Sequence, residues 1–106
     1  MNILFVCSRN QWRSPTAETI YKNYNGLAVK SAGTEPSARI RVTTKIIDWA
    51  DIIFVMEKRH KQRITENFGN TILGKKIIIL DIPDDYQYMN EELIDSIKRS
   101  VEPYLF

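Results

Sequence analysis

The 106-residue chain has one cysteine, one histidine, four glycines and four prolines. A single thiol makes no internal disulfide. One thiol and one imidazole are also too few for a Cys- or His-rich zinc site. No apolar run approaches the ~18 residues of a membrane span. The N-terminus, Met1-Asn2-Ile3-Leu4-Phe5-Val6, runs straight into polar residues, without the charged start and long apolar stretch of a signal peptide. These absences point to a cytoplasmic protein with a reduced thiol and no membrane partner. There is no internal repeat, linker or low-complexity stretch. A length below ~150 residues implies one domain, spanning residues 1–106. If the chain is an enzyme, Cys7, His60 and its carboxylates and cations must do the chemistry.

What is present suits a soluble globular fold: 43% hydrophobic and 26% charged residues. The net charge of +2 is unevenly spread. Residues 1–80 hold 13 Lys/Arg against 6 Asp/Glu, a net of +7, and residues 81–106 hold 2 against 7, a net of −5. A basic body with an acidic C-terminal segment suggests an anion site approached by carboxylates from the tail.

Strand and helix patterns alternate. Residues 3–6 and 27–30 are short strands, followed by residues 51–55 and 76–80. Between the first two, Ala17, Ile20, Tyr21 and Tyr24 share a helical face. Ser14 as cap and Pro15 in the first turn start that helix, and Asn25-Gly26 stops it. Residues 34–41 form a loop. A short helix over 42–49 packs Val42, Ile46 and Trp49 inward, and one over 58–68 packs Ile64 and Phe68. The last helix, 90–104, carries Leu93, Ile94, Ile97 and Val101 as its apolar stripe. The pattern implies an α/β three-layer sandwich, a parallel sheet with helices on both faces. With strand order 2-1-3-4, the loop after strand one lies at the topological switch point, where such sheets bind ligands.

That loop is Cys7-Ser8-Arg9-Asn10-Gln11-Trp12-Arg13-Ser14. Between a buried strand and a helix N-terminus, its backbone N–H groups form an anion cradle. Cys7 stands at the base, where the helix dipole, the amides and Arg13 favour the nucleophilic thiolate. The planar fork of Arg13 suits two oxygens of a phosphoryl group. Ser14 can donate to the thiolate, and Asn10 tolerates the left-handed backbone that holds such a loop open.

The run from Val6 to Glu18 resembles the signature of the low-molecular-weight protein tyrosine phosphatase family, Cys-x5-Arg-Ser-Pro after the first strand. Ser31-Ala32-Gly33-Thr34, Asp51-Ile52-Ile53-Phe54-Val55-Met56 and Ile82-Pro83-Asp84-Asp85-Tyr86 resemble further segments of that family, so the likeness spans most of the chain. It implies a four-stranded parallel sheet and a phosphomonoester hydrolase acting on phosphotyrosine. Cys7 would form a phosphocysteine. Arg13 and the loop residues Ser8, Arg9, Asn10, Gln11, Trp12 and Ser14 would bind the phosphoryl oxygens. An aspartate would act as general acid and then as base. In the nearest register that acid is Asp84, with Asp81 and Asp85 as alternatives. No metal or organic cofactor is implied. The expected partners are phosphate, a phosphotyrosine-containing protein or a small aryl phosphate.

The chain departs from the family in being shorter by tens of residues, mainly between Thr34 and Val42 and around the acid loop. A shallower cleft would admit other phosphomonoesters. Arg9 stands where a small residue is usual and adds charge at the rim. Trp12 either packs under the loop or stacks on an aromatic substrate. Tyr86 and Tyr88 are candidates for the cleft wall or for packing on the last helix. Glu57-Lys58-Arg59-His60-Lys61-Gln62-Arg63 reads as a basic, solvated helical face, and no nucleic-acid partner is expected. Two other readings stand beside the phosphatase: an arsenate reductase using an external thiol, and a non-catalytic phosphate- or RNA-binding module.

Overall fold

The computed structural model describes residues 1–106. The first apolar run forms β1 (Asn2–Cys7), buried at every residue after Asn2. On one side β1 pairs in parallel with β2 (Ala28–Gly33), from Asn2 opposite Ala28 to Cys7 opposite Gly33. On the other side it pairs with β3 (Ile52–Val55), and β3 pairs with β4 (Lys76–Ile79). The sheet is parallel throughout, in the order β2-β1-β3-β4. Parallel neighbours require crossovers. These are α1 (Arg13–Tyr21), α2 (Thr44–Trp49) and α3 (Lys58–Phe68), and α4 (Glu91–Leu105) follows the last strand. The expected α/β architecture is the one observed.

The two-residue period of a strand sorts β1 between two cores. Ile3, Phe5 and Cys7 pack with Ala17 and Tyr21 of α1 and with Leu93, Ile97 and Val101 of α4. Leu4 and Val6 pack with Ile47 of α2 and Ile64 of α3. A strand covered on both faces reads as an unbroken apolar run, which is why β1 was legible. No helix is long and apolar enough to cross a membrane.

Several boundaries differ from expectation for physical reasons. β2 continues to Gly33 because its end pairs with Cys7. α1 begins at Arg13 with Trp12 at its cap position, so Ser14 is not the cap; its hydroxyl is directed at Cys7 instead. The helix ends at Tyr21 and leaves Tyr24 outside it, tilted against Tyr21 and Phe106. Gly26, at φ 85°, then turns the chain toward β2. In α2 the inward residue is Ile47, while Ile46 and Trp49 are only partly covered. Thr43 caps that helix by accepting from Ile46 N–H, and this sets the phase. Strand order reverses at β1, so the loop leaving Cys7 opens into the crevice at the carboxyl edge of the sheet.

Candidate active site

The loop from Ser8 to Trp12 curls between β1 and α1. None of its five backbone N–H groups donates to another backbone group. The N–H groups of Arg13 and Ser14, in the first helical turn, likewise have no intrahelical acceptor. Asn10 takes φ 57°, the left-handed conformation expected of it, and is fully buried. Its Nδ2 donates to Ser14 Oγ and to Ser31 Oγ, both at 2.9 Å. Ser31 in turn donates to Glu18. Because Ser14 Oγ accepts from Asn10, its own proton is free for an acceptor. Cys7 Sγ at 2.9 Å is nearer than Ala32 O at 3.4 Å. Cys7 thus has a fixed hydroxyl within hydrogen-bond distance, and that hydroxyl is the donor once the thiol is ionised.

The segment after β2 braces the loop from outside. Thr34 N–H donates to Cys7 O, Glu35 N–H to Ser8 O and Arg39 N–H to Arg9 O, at 2.9–3.0 Å. Arg39 Nε adds a bond to Asn10 O at 3.2 Å. Gly33 permits this approach: a Cβ there would lie 2.5 Å from Ser8 O and 2.7 Å from Ala38 Cβ.

Arg13 is 2% exposed, one of the largest buried side chains in the protein and its only buried cation. Its Nη1 donates to Glu57 Oε2 at 2.6 Å and to Ile82 O at 2.8 Å. Its Nε lies 3.6 Å from Asp84 Oδ1. Cys7, Arg13 and Asp84 line one cavity of about 380 Å³, together with Ser8, Arg9, Gln11 and Trp12 of the loop. Glu35, Ser37 and Arg59 complete the wall. The arrangement offers a nucleophile at the floor, donors around it, a fixed guanidinium and a carboxylate at the rim.

The sequence profile of the family "Low molecular weight phosphotyrosine protein phosphatase" matches residues 2–48. The chain is 30% identical to the low molecular weight protein-tyrosine-phosphatase Wzb of Escherichia coli (strain K12), over 85% of this chain and 81% of that protein. The chain belongs to the low molecular weight phosphotyrosine protein phosphatase family. It is also 30% identical to a protein-arginine-phosphatase of Bacillus subtilis (strain 168), over 65% of this chain and 64% of that protein. The fold is shared with the crystal structure of the tyrosine phosphatase Wzb from Escherichia coli K30 in complex with phosphate. The TM-score is 0.78 at 19% identity, covering 97% of this chain and 94% of that one.

Of the three candidate acids in this family member, only Asp84 lines the cavity. Asp81, at φ 56°, turns the chain out of β4, and Asp85 is exposed outside the site. Trp12 is 42% exposed on the cavity wall, so it does not pack under the loop. Tyr86 and Tyr88, expected as candidates for the cleft wall, do not line this cavity. Tyr86 packs against the core beneath α1 and α4, and the Tyr88 hydroxyl is held by Thr19 at 2.8 Å.

The sequence pattern places Glu57, Arg59 and His60 together on a basic, solvated face, and the structure overturns this for Glu57 and His60. His60 is 1% exposed and Glu57 only 29%. They cap α3 reciprocally, with the Glu57 N–H donating to His60 Nδ1 at 3.0 Å. The accepting Nδ1 places the ring proton on Nε2, which donates to Ser8 Oγ at 2.9 Å. Ser8 therefore keeps its own proton for an acceptor elsewhere. Burial, then the charges of Arg13 and Arg59, push the His60 pKa down to about 4 against the opposing pull of Glu57. Burial would raise the Glu57 carboxyl, but hydrogen bonds from Arg13 and Arg59 outweigh it and hold the pKa below its ordinary value. Arg59 is fixed to Glu57 Oε2 through Nε at 3.2 Å and Nη2 at 2.8 Å. The available signal was the spacing of Glu57 and His60 by three, between a buried strand and a helix.

Proposed function

We propose that the single domain of residues 1–106 hydrolyses phosphotyrosine or a related aryl phosphate through a phosphocysteine on Cys7. The carrying observation is that Cys7, Arg13 and Asp84 line one cavity with residues of the Ser8–Trp12 loop, whose amides donate to no backbone group. Cys7 Sγ attacks phosphorus. The S–P bond forms as the P–O bond to the leaving group breaks, and Asp84 gives its proton to that oxygen. The loop amides and Arg13 neutralise the three non-bridging oxygens as charge redistributes. Water then attacks the phosphocysteine with Asp84 as base, and Ser14 supports the departing thiolate. Inorganic phosphate leaves. No metal or organic cofactor takes part in this scheme.

Trp12 supports an aryl leaving group, because its exposed ring is the one aromatic surface on the cavity wall. A second reading rests on the rest of that wall. Gln11, Glu35 and Asp84 offer acceptors that suit the guanidinium of phosphoarginine.

The deciding experiment is hydrolysis of p-nitrophenyl phosphate by wild type and Cys7→Ser, with phosphotyrosyl and phosphoarginyl peptides compared on the wild type. Activity lost in Cys7→Ser and higher on the phosphotyrosyl peptide is expected. Activity that survives Cys7→Ser overturns the mechanism. Preference for the phosphoarginyl peptide selects the second reading. No hydrolysis combined with salt-sensitive RNA binding would favour the non-catalytic module.

A further inference from the structure

A second depression, of about 420 Å³, adjoins the catalytic cavity, and Gln11 lines both. It is formed by α1, by Arg39 of the segment after β2 and by Tyr88 before α4. Its charged groups are Lys22, Arg39 and Glu18. Lys22 and Arg39 have no carboxylate within salt-bridge distance, unlike Arg13, Arg59 and Arg63. Glu18 is engaged as the acceptor of the Ser31 hydroxyl. The depression therefore carries one excess positive charge.

Arg39 is also preorganised. Its backbone N–H is bonded to Arg9 O and its Nε to Asn10 O, so the guanidinium is tied to the phosphate loop while Nη1 and Nη2 make no bond within the protein. A fixed fork with free outer donors matches a carboxylate. The Thr19–Tyr88 hydrogen bond closes another side of the depression with the phenol edge.

We propose that this depression is a docking subsite for an acidic side chain, Asp or Glu, that flanks the phosphorylated residue of a peptide substrate. The proposal rests on the phosphatase reading, since the phosphorylated residue would occupy the neighbouring cavity. Gln11 lies at the boundary, between the phosphoryl group and the flanking residue. The occupant is a peptide because a free aryl phosphate fills the first cavity alone and leaves Lys22 and Arg39 unpaired. The subsite would make the protein select among phosphorylated sequences by charge, although its own net charge is only +2.

The test uses three phosphotyrosyl peptides that differ only in flanking residues: Glu, Ala or Lys. Their Kd values are measured on the Cys7→Ser protein with and without Lys22→Glu. The Glu-flanked peptide should bind about three- to tenfold more tightly than the Ala-flanked one, an advantage that shrinks with salt. Lys22→Glu should abolish that advantage and improve binding of the Lys-flanked peptide. Equal binding of all three peptides, or an equal loss on all three in Lys22→Glu, overturns the subsite. Wild-type hydrolysis of p-nitrophenyl phosphate reports separately on the reaction. If that hydrolysis is absent while the charge preference persists, the proposed chemistry fails and the subsite stands.

Discussion

Arg13 Nη1 meets Glu57 Oε2 at 2.6 Å, across 44 residues of sequence, so the buried guanidinium has its counter-charge before any phosphoryl group arrives. The bond to Ile82 O fixes the same nitrogen from the strand-four side. Two elements that follow separate strands therefore set the orientation of one side chain of the loop. An arginine so held loses little freedom on binding an anion, which is the physical content of preorganisation.

Removing that counter-charge should damage both stability and turnover. Glu57→Ala leaves a buried cation without its partner. The expected loss is about 2–3 kcal/mol, at or below the low end for buried pairs because Glu57 is 29% exposed. Glu57→Gln keeps the shape but not the charge, and should lower kcat/KM on p-nitrophenyl phosphate by about 10- to 100-fold through a displaced Arg13. Urea unfolding and steady-state kinetics on the two variants check this. Wild-type kcat/KM in both would remove Glu57 from the positioning of Arg13.

His60 should make the fold sensitive to mild acid. Its pKa is about 4 in the folded protein, below the ordinary 6.5. Between those values the unfolded chain binds the proton and the folded one does not, so stability rises with pH across that window. The contribution is fully present above pH 6.5 and lost as pH falls toward 4. The full shift corresponds to about 3 kcal/mol. The lowered pKa of Glu57 acts in the same direction but only below its ordinary 4.5. His60→Gln should flatten the pH 4.5–6.5 part of a Tm profile and leave the more acidic part steep. An unchanged slope in that window would show that another group carries it.

Cys7, Asn10, Arg13 and Ser14 were legible because one loop holds all four, and the physics that joins them is local. The sheet order was legible because apolar strand runs alternate with helical segments, and parallel pairing allows few topologies. Glu57 and His60 were not, because their neighbours Lys58, Arg59, Lys61 and Gln62 are exposed and dominate the pattern. Only the crossover after β3 brings those two residues under the loop. Tyr86 and Tyr88 lie off the wall of the Cys7 cavity for the converse reason. Aromatic residues beside Asp84 look like a cleft wall, yet Tyr86 packs partly buried against the core and Tyr88 bonds Thr19. Spacing along the chain indicates which residues can meet, and packing decides which of them do.

The backbone contact at Gly33 gives a test of the brace around the loop. In Gly33→Ala the new methyl meets a carbonyl oxygen at 2.5 Å, and backbone cannot swing aside as a flexible side chain would. Either β2 or the Ser8–Arg9 peptide must shift. The expected cost is about 1–3 kcal/mol of stability, with weaker binding of inorganic phosphate because the displaced peptide belongs to the cradle. Calorimetric titration with phosphate and thermal unfolding measure both. Intact phosphate affinity at reduced stability would place the displacement in β2 rather than in the loop.

The general acid can be separated from the phosphate site by the placement of the three aspartates. Asp84 lines the cavity at 51% exposure, with Oδ1 3.6 Å from Arg13 Nε, while Asp81 and Asp85 do not line it. Asp84→Asn should therefore lower kcat on an aryl phosphate by about 100-fold or more, the usual scale of general acid catalysis. Phosphate affinity should hold or improve, because a negative charge has left the rim. Asp81→Asn and Asp85→Asn should stay within about twofold of wild type. The leaving group sharpens the assignment. A phosphate ester with a poor, strongly basic leaving group needs the proton more than p-nitrophenolate does, so the deficit of Asp84→Asn should widen as leaving-group pKa rises. A deficit independent of leaving group would mean that Asp84 positions Arg13 and does not deliver the proton.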